Sequence, residues 1–261
     1  MDFKLQFEIS KADFNIQHGE SIVFLGSCFS DEMAAKASYY GFPVLSNPFG
    51  TVFHPSVISR FILESIQSIK EERIFQREDL FLSWDANSTI FDYSEEKYKQ
   101  QLQAIRSRFV ETLSKSKLLF ITFGTAWGYE LNDQKYTVAN CHKVPNTQFT
   151  KRLSLIEELE QEWLNTITIL QNNFPDLKIV FTVSPVRHVK DGLVENNQSK
   201  AILIELVRRL NEKTTSEYFP SYEIMIDELR DYRFYKTDRV HPSEEAIEYI
   251  WKRFESKYCS E

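Results

Sequence analysis

Two candidate nucleophiles follow the first strongly apolar segment of the chain. The run Ile22–Leu25 predicts a buried strand, and Gly26 after it permits a sharp turn. Ser27 and Cys28 come next, and the charged, Ala-rich run 31–37 predicts a helix. Because strand–turn–helix units place the turn at the carboxyl edge of a sheet, either side chain would face a bound ligand. The helix N-terminus would favour developing negative charge, which suits nucleophilic catalysis. The alternative is an ordinary turn in which Ser27 is the N-cap.

A candidate base with an orienting carboxylate lies near the other end of the chain. Asp238 precedes His241 by three residues, and Pro242 follows directly. A nucleophilic hydroxyl or thiol needs a base that takes its proton, and the base needs an acceptor that orients it. In a tight loop, the Asp238 carboxylate can accept a hydrogen bond from one imidazole nitrogen. The alternative is a turn-capping Asp beside an exposed His.

Further polar residues and glycines recur after other predicted strands. They are Asn47, Gly50, Gly124, Asn140, His142 and His188. The carboxyl ends of parallel strands meet at one edge of a sheet, where α/β proteins bind ligands. We therefore expect these residues to supply substrate-binding groups at that edge.

Strand patterns alternate with helical patterns along the chain, and this alternation predicts the fold class. Five strands are predicted, at 22–25, 42–45, 118–123, 178–183 and 222–226. The last helix is predicted to begin near Ser243, with that residue as its N-cap. Apolar strands separated by helices imply a parallel sheet covered on both faces. We expect an α/β fold, a three-layer α/β/α sandwich with a central sheet of about five parallel strands.

Two segments interrupt the alternation, although the whole chain, 1–261, is predicted to form one domain. The insertions lie at about 71–95 and 128–150. In the second, Asn132-Asp133 is a turn signal between two possible hairpin strands. Insertions near strand ends build a substrate wall or lid in many α/β proteins. The alternative is surface decoration.

Charge and cysteine content exclude several classes of protein. The net charge is -7, so the chain lacks the basic surface that nucleic-acid binding needs. No apolar run approaches the roughly 18 residues of a membrane span, and the N-terminus has no signal-peptide pattern. The three cysteines are an odd number for a disulfide framework. We expect reduced thiols, a cytoplasmic location and neither nucleic acid nor membrane as partner, with a Cys28–Cys141 bridge left open.

The segment Gly26-Ser-Cys-Phe-Ser30 closely resembles the name-giving motif of the GSCFA family, a branch that looks like part of the SGNH/GDSL hydrolase superfamily. Other segments extend the resemblance along most of the chain. They are Asn47–Thr51, Phe123–Trp127, Asn140–His142, Ser184–His188 and Asp238–Ser243. The resemblance implies a flavodoxin-like α/β/α esterase fold with a Ser–His–Asp system.

The superfamily's first and last motifs carry the implied catalytic roles to this sequence. Alignment of Gly26 places Cys28 on the nucleophile, and the final D-x-x-H falls on Asp238 and His241. A shift of one residue makes Ser27 the nucleophile instead, with Cys28 packed behind it. The resemblance favours Cys28 slightly, as a thiolate paired with His241.

The superfamily's middle motifs imply the oxyanion donors. Gly50 matches the glycine of the second motif, whose backbone N–H is one donor, and the N–H of residue 28 is another. The third motif falls on Gly124-Thr-Ala-Trp127, so its oxyanion Asn is missing here. Asn140 is the candidate replacement.

The expected function is hydrolysis of small acyl esters by an esterase or deacetylase without a cofactor or metal. The implied substrate is a small acylated molecule such as a carbohydrate, and the oligomeric state stays open. One alternative is a zinc site made from cysteine and histidine side chains. The candidate ligands are Cys28, His54, Cys141, His142, His188 and His241. The other alternative is an inactive ligand-binding module on the same fold.

Overall fold

A computed structural model describes residues 5–69, 73–134 and 136–259 of the chain. The strands in chain order are β1 (Ser21–Gly26), β2 (Val44–Ser46), β3 (Ile74–Arg77), β4 (Leu80–Ser83), β5 (Ser116–Phe123), β6 (Trp127–Leu131), β7 (Tyr136–Thr137), β8 (Phe149–Leu153), β9 (Lys178–Val183) and β10 (Glu217–Tyr218). The α-helices are α1 (Cys28–Tyr39), α2 (Pro55–Ile66), α3 (Glu95–Leu113), α4 (Ile156–Asn173), α5 (Leu193–Lys213), α6 (Ser221–Glu223) and α7 (Glu244–Tyr258).

The central sheet has five parallel strands in the order β10-β9-β5-β1-β2. Alternate residues of each strand point to opposite faces, so each face has its own core. On one face, Val23 and Leu119 pack in a core that includes apolar residues of α2 to α5. On the other face, Phe24 and Phe120 pack in a core with residues of α1 and α7. The predicted three-layer α/β/α sandwich with about five parallel strands is confirmed.

The two predicted insertions form additional antiparallel sheets that pack against each other. The first contains the β3–β4 hairpin, and the second contains a sheet in the order β7-β6-β8. Phe75 and Trp84 of the first stack at 3.8 Å between ring centroids, and Trp84 also contacts Phe149 of the second. The predicted hairpin at Asn132-Asp133 is present between β6 and β7. Glu71 and Glu72, at the predicted start of the first insertion, lie outside the described residues.

Arg60 of α2 attaches both insertions to that helix, the first through an ion pair and the second through a hydrogen bond. Arg60 of α2 pairs with Asp85 at 2.8 Å, and its guanidinium also donates to the Thr137 carbonyl at 2.6 Å. The Arg60 guanidinium lies 4.4 Å from the centre of the Tyr136 ring. Arg73 pairs with Asp85 at 3.0 Å. Because these groups are largely removed from water, their pairing fixes the position of the insertions more strongly than surface ion pairs would.

The fifth strand is not where the sequence pattern predicted it. Residues 222–226 are helical, in α6 and the π-helical turn Ile224–Glu228 that follows. The strand that pairs with β9 is the earlier Glu217–Tyr218. Pro220 precedes α6 and has no N–H for a ladder, which stops the strand. The adjacent apolar residues Ile224 and Met225 both pack in the core on the α1 and α7 face of the sheet, as a helical turn allows and a strand, whose neighbouring side chains point to opposite faces, does not.

The structure contains the predicted cap of the last helix and three free cysteine thiols. Ser243 is the N-cap of α7, as predicted, and its hydroxyl accepts from the N–H of Ala246 at 3.3 Å. The three cysteines are free thiols, so the bridge left open between Cys28 and Cys141 is not formed. No helix of the described ranges is both long and apolar enough to cross a membrane. A single domain over 1–261 stays a prediction.

We expect Gly26→Ala to lower the free energy of unfolding by about 3 kcal/mol or more. Gly26 has φ +123°, and a Cβ there would lie 2.0 Å from the Thr122 carbonyl oxygen in β5. The matched control is Gly19→Ala, since Gly19 has φ +93° with no atom within 4 Å of the added Cβ. That change should cost only about 1–2 kcal/mol for the strained backbone. Urea denaturation followed by circular dichroism measures both, and equal losses would contradict the close approach.

Candidate active site

The turn between β1 and α1 separates the two candidate nucleophiles. Ser27 is completely buried and is the N-cap of α1, where its hydroxyl accepts from the N–H of Phe29 at 3.3 Å. Its own N–H donates to the Thr122 carbonyl at 3.2 Å. Cys28 is the first residue of α1, is half-buried and lines a cleft at the carboxyl edge of the central sheet. The fold therefore presents the Cys28 thiol to a ligand and turns the Ser27 hydroxyl into the helix.

The pKa of the Cys28 thiol is raised above its ordinary value. Burial is the main cause, and the negative charge of Asp31 is the next. The Cys28 N–H, at the positive end of α1, and the ammonium of Lys200 act in the opposite direction. Because the raising effects are larger, the thiol is neutral at pH 7.

The Asp238–His241 pair has the geometry of a base held by a carboxylate. Asp238 Oδ2 lies 2.7 Å from His241 Nδ1, and its Oδ1 accepts from the backbone N–H groups of Val240 at 2.8 Å and His241 at 3.0 Å. These N–H groups, together with the imidazole, hold the pKa of Asp238 well below its usual range. When the ionised carboxylate accepts a hydrogen bond from Nδ1–H, Nε2 of His241 is the nitrogen left free to take a proton.

Cys28 and His241 line the same cleft, which has a volume of about 620 Å³. They reach it from opposite ends of the chain, one from the start of α1 and the other from the loop before α7. Asn140 and Cys141 of the second insertion form part of the wall. Trp127 is half-buried and also lines the cleft.

The two glycines expected near an oxyanion have their N–H groups committed to the fold. Gly50 N–H donates to the Asn47 carbonyl at 2.7 Å, and Gly124 N–H donates to the Phe53 carbonyl at 2.9 Å. Neither glycine belongs to the cleft lining. Both N–H groups therefore stabilise the segments that follow the strands. They do not point at the Cys28 sulfur.

The two candidate amide side chains differ in where they lie. Asn47 is behind the nucleophile turn, where its Oδ1 accepts from the Gly26 N–H at 2.8 Å. Its Nδ2 is buried without a hydrogen-bond partner among the described residues. Asn140 lines the cleft, and its Oδ1 accepts from the His142 N–H at 2.7 Å. The remaining NH₂ group of Asn140 is the donor available to a ligand.

His142 and His188 are both near the strand ends but have different surroundings. His142 is buried between Phe75 and Trp84, and its Nε2 lies 2.8 Å from the Ser83 carbonyl oxygen. It joins the two insertions and does not line the cleft. His188 lines the cleft, and burial, followed by the charge of Lys200, lowers its pKa to about 4. His188 is therefore neutral at pH 7.

The candidate zinc ligands line the cleft, except for His142, but they do not converge on one point. His54 Nδ1 accepts from the Ser56 N–H at 3.2 Å, its Nε2 lies 3.0 Å from Ser154 Oγ, and burial lowers its pKa to about 3. His142 is held by the insertions, away from Cys28. Across residues 5–69, 73–134 and 136–259, no group of three or more His, Cys, Asp or Glu side chains could hold a metal ion.

Lys200 is a residue near the site that the sequence reading missed. It is 1% exposed, and its ammonium donates to the carbonyl oxygens of Gly124 at 2.8 Å and Ser184 at 2.7 Å. The sequence pattern could have identified Lys200 as a buried residue. Lys200 is three residues before Leu203 and seven before Val207, so it falls on the apolar stripe of α5. A lysine on such a stripe is a candidate buried charge.

The chain matches one sequence family and is distantly similar to solved esterase structures. The profile of the GSCFA family matches residues 21–254. A family two carbohydrate esterase from Clostridium thermocellum, solved in complex with cellohexaose, is 13% identical with a TM-score of 0.43, over 97% of this chain and 66% of that chain. The acetyl xylan esterase Est2A from the rumen bacterium Butyrivibrio proteoclasticus is 10% identical with a TM-score of 0.45, over 91% and 62%. The chain thus spans less than two thirds of either structure. No curated protein matches it.

We expect the alkylation rate of Cys28 by iodoacetamide to increase with pH beyond 9, because the thiolate reacts and the thiol pKa is raised above 9.0. Cys259 is an internal comparison, since burial raises its pKa to about 12 and it should react more slowly. Mass spectrometry of the labelled peptides measures both rates. A Cys28 rate that levels off by pH 7 would contradict the neutral thiol.

Proposed function

The chain belongs to the GSCFA family, and we propose that it is an SGNH-type esterase with Cys28 as its nucleophile. One observation carries the proposal. The thiol at the start of α1 lines the same cleft as His241, whose Nδ1 lies 2.7 Å from the Asp238 carboxylate. A nucleophile, a base and a carboxylate that orients the base are the groups that acyl transfer to water requires.

In the proposed acylation step, Cys28 Sγ attacks the carbonyl carbon of the ester while His241 Nε2 takes the thiol proton. Concerted proton removal suits a thiol whose pKa is raised, because no thiolate has to exist beforehand. Asp238 stabilises the imidazolium that forms. The ester C–O bond then breaks, the alcohol takes the proton from His241, and a thioester to Cys28 remains.

In the proposed deacylation step, His241 takes a proton from water as the water oxygen attacks the thioester. The C–S bond breaks, the acid leaves and the sulfur regains the proton. In both steps, negative charge develops on the carbonyl oxygen. The Cys28 N–H at the start of α1 and the NH₂ group of Asn140 are the donors we assign to that oxygen.

The cleft supports a polar alcohol, such as a carbohydrate, as the part of the substrate that leaves. Tyr129 is 38% exposed and lines the cleft, so its ring face can stack on a sugar ring. Arg187, His188 and Asp191 line the same cleft and supply hydrogen-bonding groups for hydroxyls. Small acyl groups, such as acetyl, complete the proposed substrate class.

A ligand-binding module without turnover is the second candidate. The observation in its favour is that the N–H groups of Gly50 and Gly124 are occupied within the fold, which leaves fewer backbone donors for an oxyanion. The two candidates differ in whether the purified protein releases an acid from an ester.

We expect the protein to hydrolyse short-chain esters, such as 4-nitrophenyl acetate, and Cys28→Ala to lower kcat/KM on the order of 10³-fold. His241→Ala should lower it at least about 10²-fold, because proton transfer loses its base. Absorbance of the released alcohol measures the rates, and mass spectrometry should find one acyl group on Cys28.

The control for this experiment is Ser27→Ala. It removes the N-cap of α1 and should lower the free energy of unfolding by about 1 kcal/mol while keeping the hydrolytic rate. If Ser27→Ala abolishes hydrolysis and Cys28→Ala retains it, the nucleophile is assigned to the wrong residue. If the wild-type protein hydrolyses none of a series of acyl esters but binds them, the module without turnover is correct.

We expect Tyr129→Ala to raise KM about 3- to 10-fold for an acetylated oligosaccharide, because a lost stacking contact is worth about 1 kcal/mol. KM for 4-nitrophenyl acetate should not change, since its small leaving group does not need that ring. The matched control is Tyr93→Ala, which removes a tyrosine that is 72% exposed and lies outside the cleft lining. Equal KM changes for the two variants, or for the two esters, would argue against a sugar-stacking role.

A further inference from the structure

A small pocket with two arginines in its wall adjoins the cleft. The pocket has a volume of about 110 Å³, and its polar lining residues are Arg187, Arg230, Asp231, Tyr232 and Tyr235. That volume is several times the roughly 10–15 Å³ that one water molecule needs, so a small charged group has room in it. Arg187 also lines the cleft that contains Cys28 and His241, so the pocket and the cleft share a wall.

Two tyrosine rings hold the Arg187 guanidinium. Its carbon lies 4.6 Å from the centre of the Tyr235 ring and 5.5 Å from that of the Tyr232 ring, and its Nη1 is 3.5 Å from the Tyr232 hydroxyl oxygen. Tyr235 is itself buried. Contact with aromatic rings restrains a guanidinium without using up its N–H groups. Arg187 is therefore positioned in advance for a ligand that accepts hydrogen bonds.

The carboxylates that line the pocket and the cleft are already paired. In the pocket, Asp231 accepts from the Arg233 N–H at 2.8 Å, and its other oxygen lies 3.3 Å from the Arg233 guanidinium. In the cleft, Asp191 pairs with Lys151 at 2.5 Å. Neither carboxylate therefore neutralises the arginines of the pocket.

The cations of the pocket and the cleft have no such partners. Among the residues that the structure describes, no ion pair includes Arg187, Arg230 or Lys190, which also lines the cleft. Asp227 borders a neighbouring groove that Arg230 also lines, but no ion pair joins the two. The pocket and the adjoining part of the cleft thus carry surplus positive charge, although the whole chain has a net charge of -7.

The backbone connects this pocket to the candidate base. Tyr235 forms an isolated antiparallel bridge with Pro242, and the Lys236 N–H donates to the His241 carbonyl at 2.7 Å. The ring that supports Arg187 therefore belongs to the segment that supports the loop of His241. A ligand with its charged group at Arg187 would extend from there into the cleft, where His241 lies.

We propose that Arg187 and Arg230 form a subsite for an anionic group on the substrate. A guanidinium binds the oxygens of a carboxylate or a phosphate in the same bidentate way, so an acidic oligosaccharide or a sugar phosphate would supply the group. Lys190 adds attraction from the rim of the cleft. That the ligand is an ester substrate rests on the proposed function, but the binding of its anionic group does not require turnover.

The first test is isothermal titration calorimetry of the wild-type protein with ligands that carry no ester. Trigalacturonate is compared with neutral xylotriose, and glucose 6-phosphate with glucose. At about 20 mM salt, one charged ligand should bind about tenfold more tightly than its neutral counterpart, and about 0.5 M NaCl should remove most of the difference. The ligand with that preference identifies the anion. Equal affinities within both pairs overturn the proposal.

The second test removes the arginines one at a time. Arg187→Gln should weaken binding of the preferred charged ligand about tenfold, and Arg187→Lys should recover part of the loss. Arg230→Gln should weaken it about threefold, because Arg230 is exposed, and it keeps the test valid if Arg187→Gln does not fold. The matched control is Arg108→Gln, which removes an exposed arginine of α3 outside both linings. Losses no larger than that of the control overturn the proposal.

The third test separates the subsite from the proposed function. For the acetylated form of the charged ligand, Arg187→Gln should raise KM about tenfold, and for the acetylated neutral counterpart less than about twofold. An equal rise for the two esters overturns the subsite. A protein that binds the charged ligand through Arg187 and hydrolyses no ester overturns only the proposed function.

Discussion

A side chain at residue 26 would overlap the backbone of β5, because a Cβ there would lie 2.0 Å from the Thr122 carbonyl oxygen. This close approach lets β1 end against its neighbour and turn directly into α1. Ser27 then has to cap the helix, and Cys28 has to begin it at the carboxyl edge of the sheet. The position of the thiol, the direction of the α1 dipole and the register with β5 all depend on the absence of that one Cβ.

At the carboxyl edge of the central sheet, the surroundings of Cys28 keep its thiol neutral at rest but would stabilise negative charge that forms there in a reaction. Burial and Asp31 keep the Cys28 thiol protonated, and burial keeps His188 neutral. The start of α1 is nevertheless fixed at the sulfur, and its N–H groups would stabilise negative charge that forms there. A site whose donors are fixed before charge develops does not have to reorganise when it does. A neutral resting thiol also avoids the oxidation to which thiolates are prone.

Local patterns predicted the parts of the fold that depend on local chemistry. The apolar runs, the cap at Ser243 and the D-x-x-H loop follow from residue types at short spacing. The fifth strand was misplaced because a run with alternating apolar residues reads the same whether tertiary packing makes it a strand or a helical turn. The occupied N–H of Gly124 and the carbonyl contacts of Lys200 depend on partners elsewhere in the fold, and sequence spacing does not encode which backbone group a distant strand end presents.

Two parts of the fold line the cleft, and because they are held separately they would affect substrate specificity in different ways. Cys28 and the His241–Asp238 pair are held by the central sheet and by the loop before α7, while Asn140 and Tyr129 come from the second insertion. That insertion is held to α2 by Arg60, whose guanidinium donates to the Thr137 carbonyl and lies over the Tyr136 ring, and not by the turn at Gly26. Changes in the insertion can therefore alter which alcohol fits without moving the groups proposed to break the ester, whereas a change at the β1–α1 turn would disturb the reacting atoms themselves.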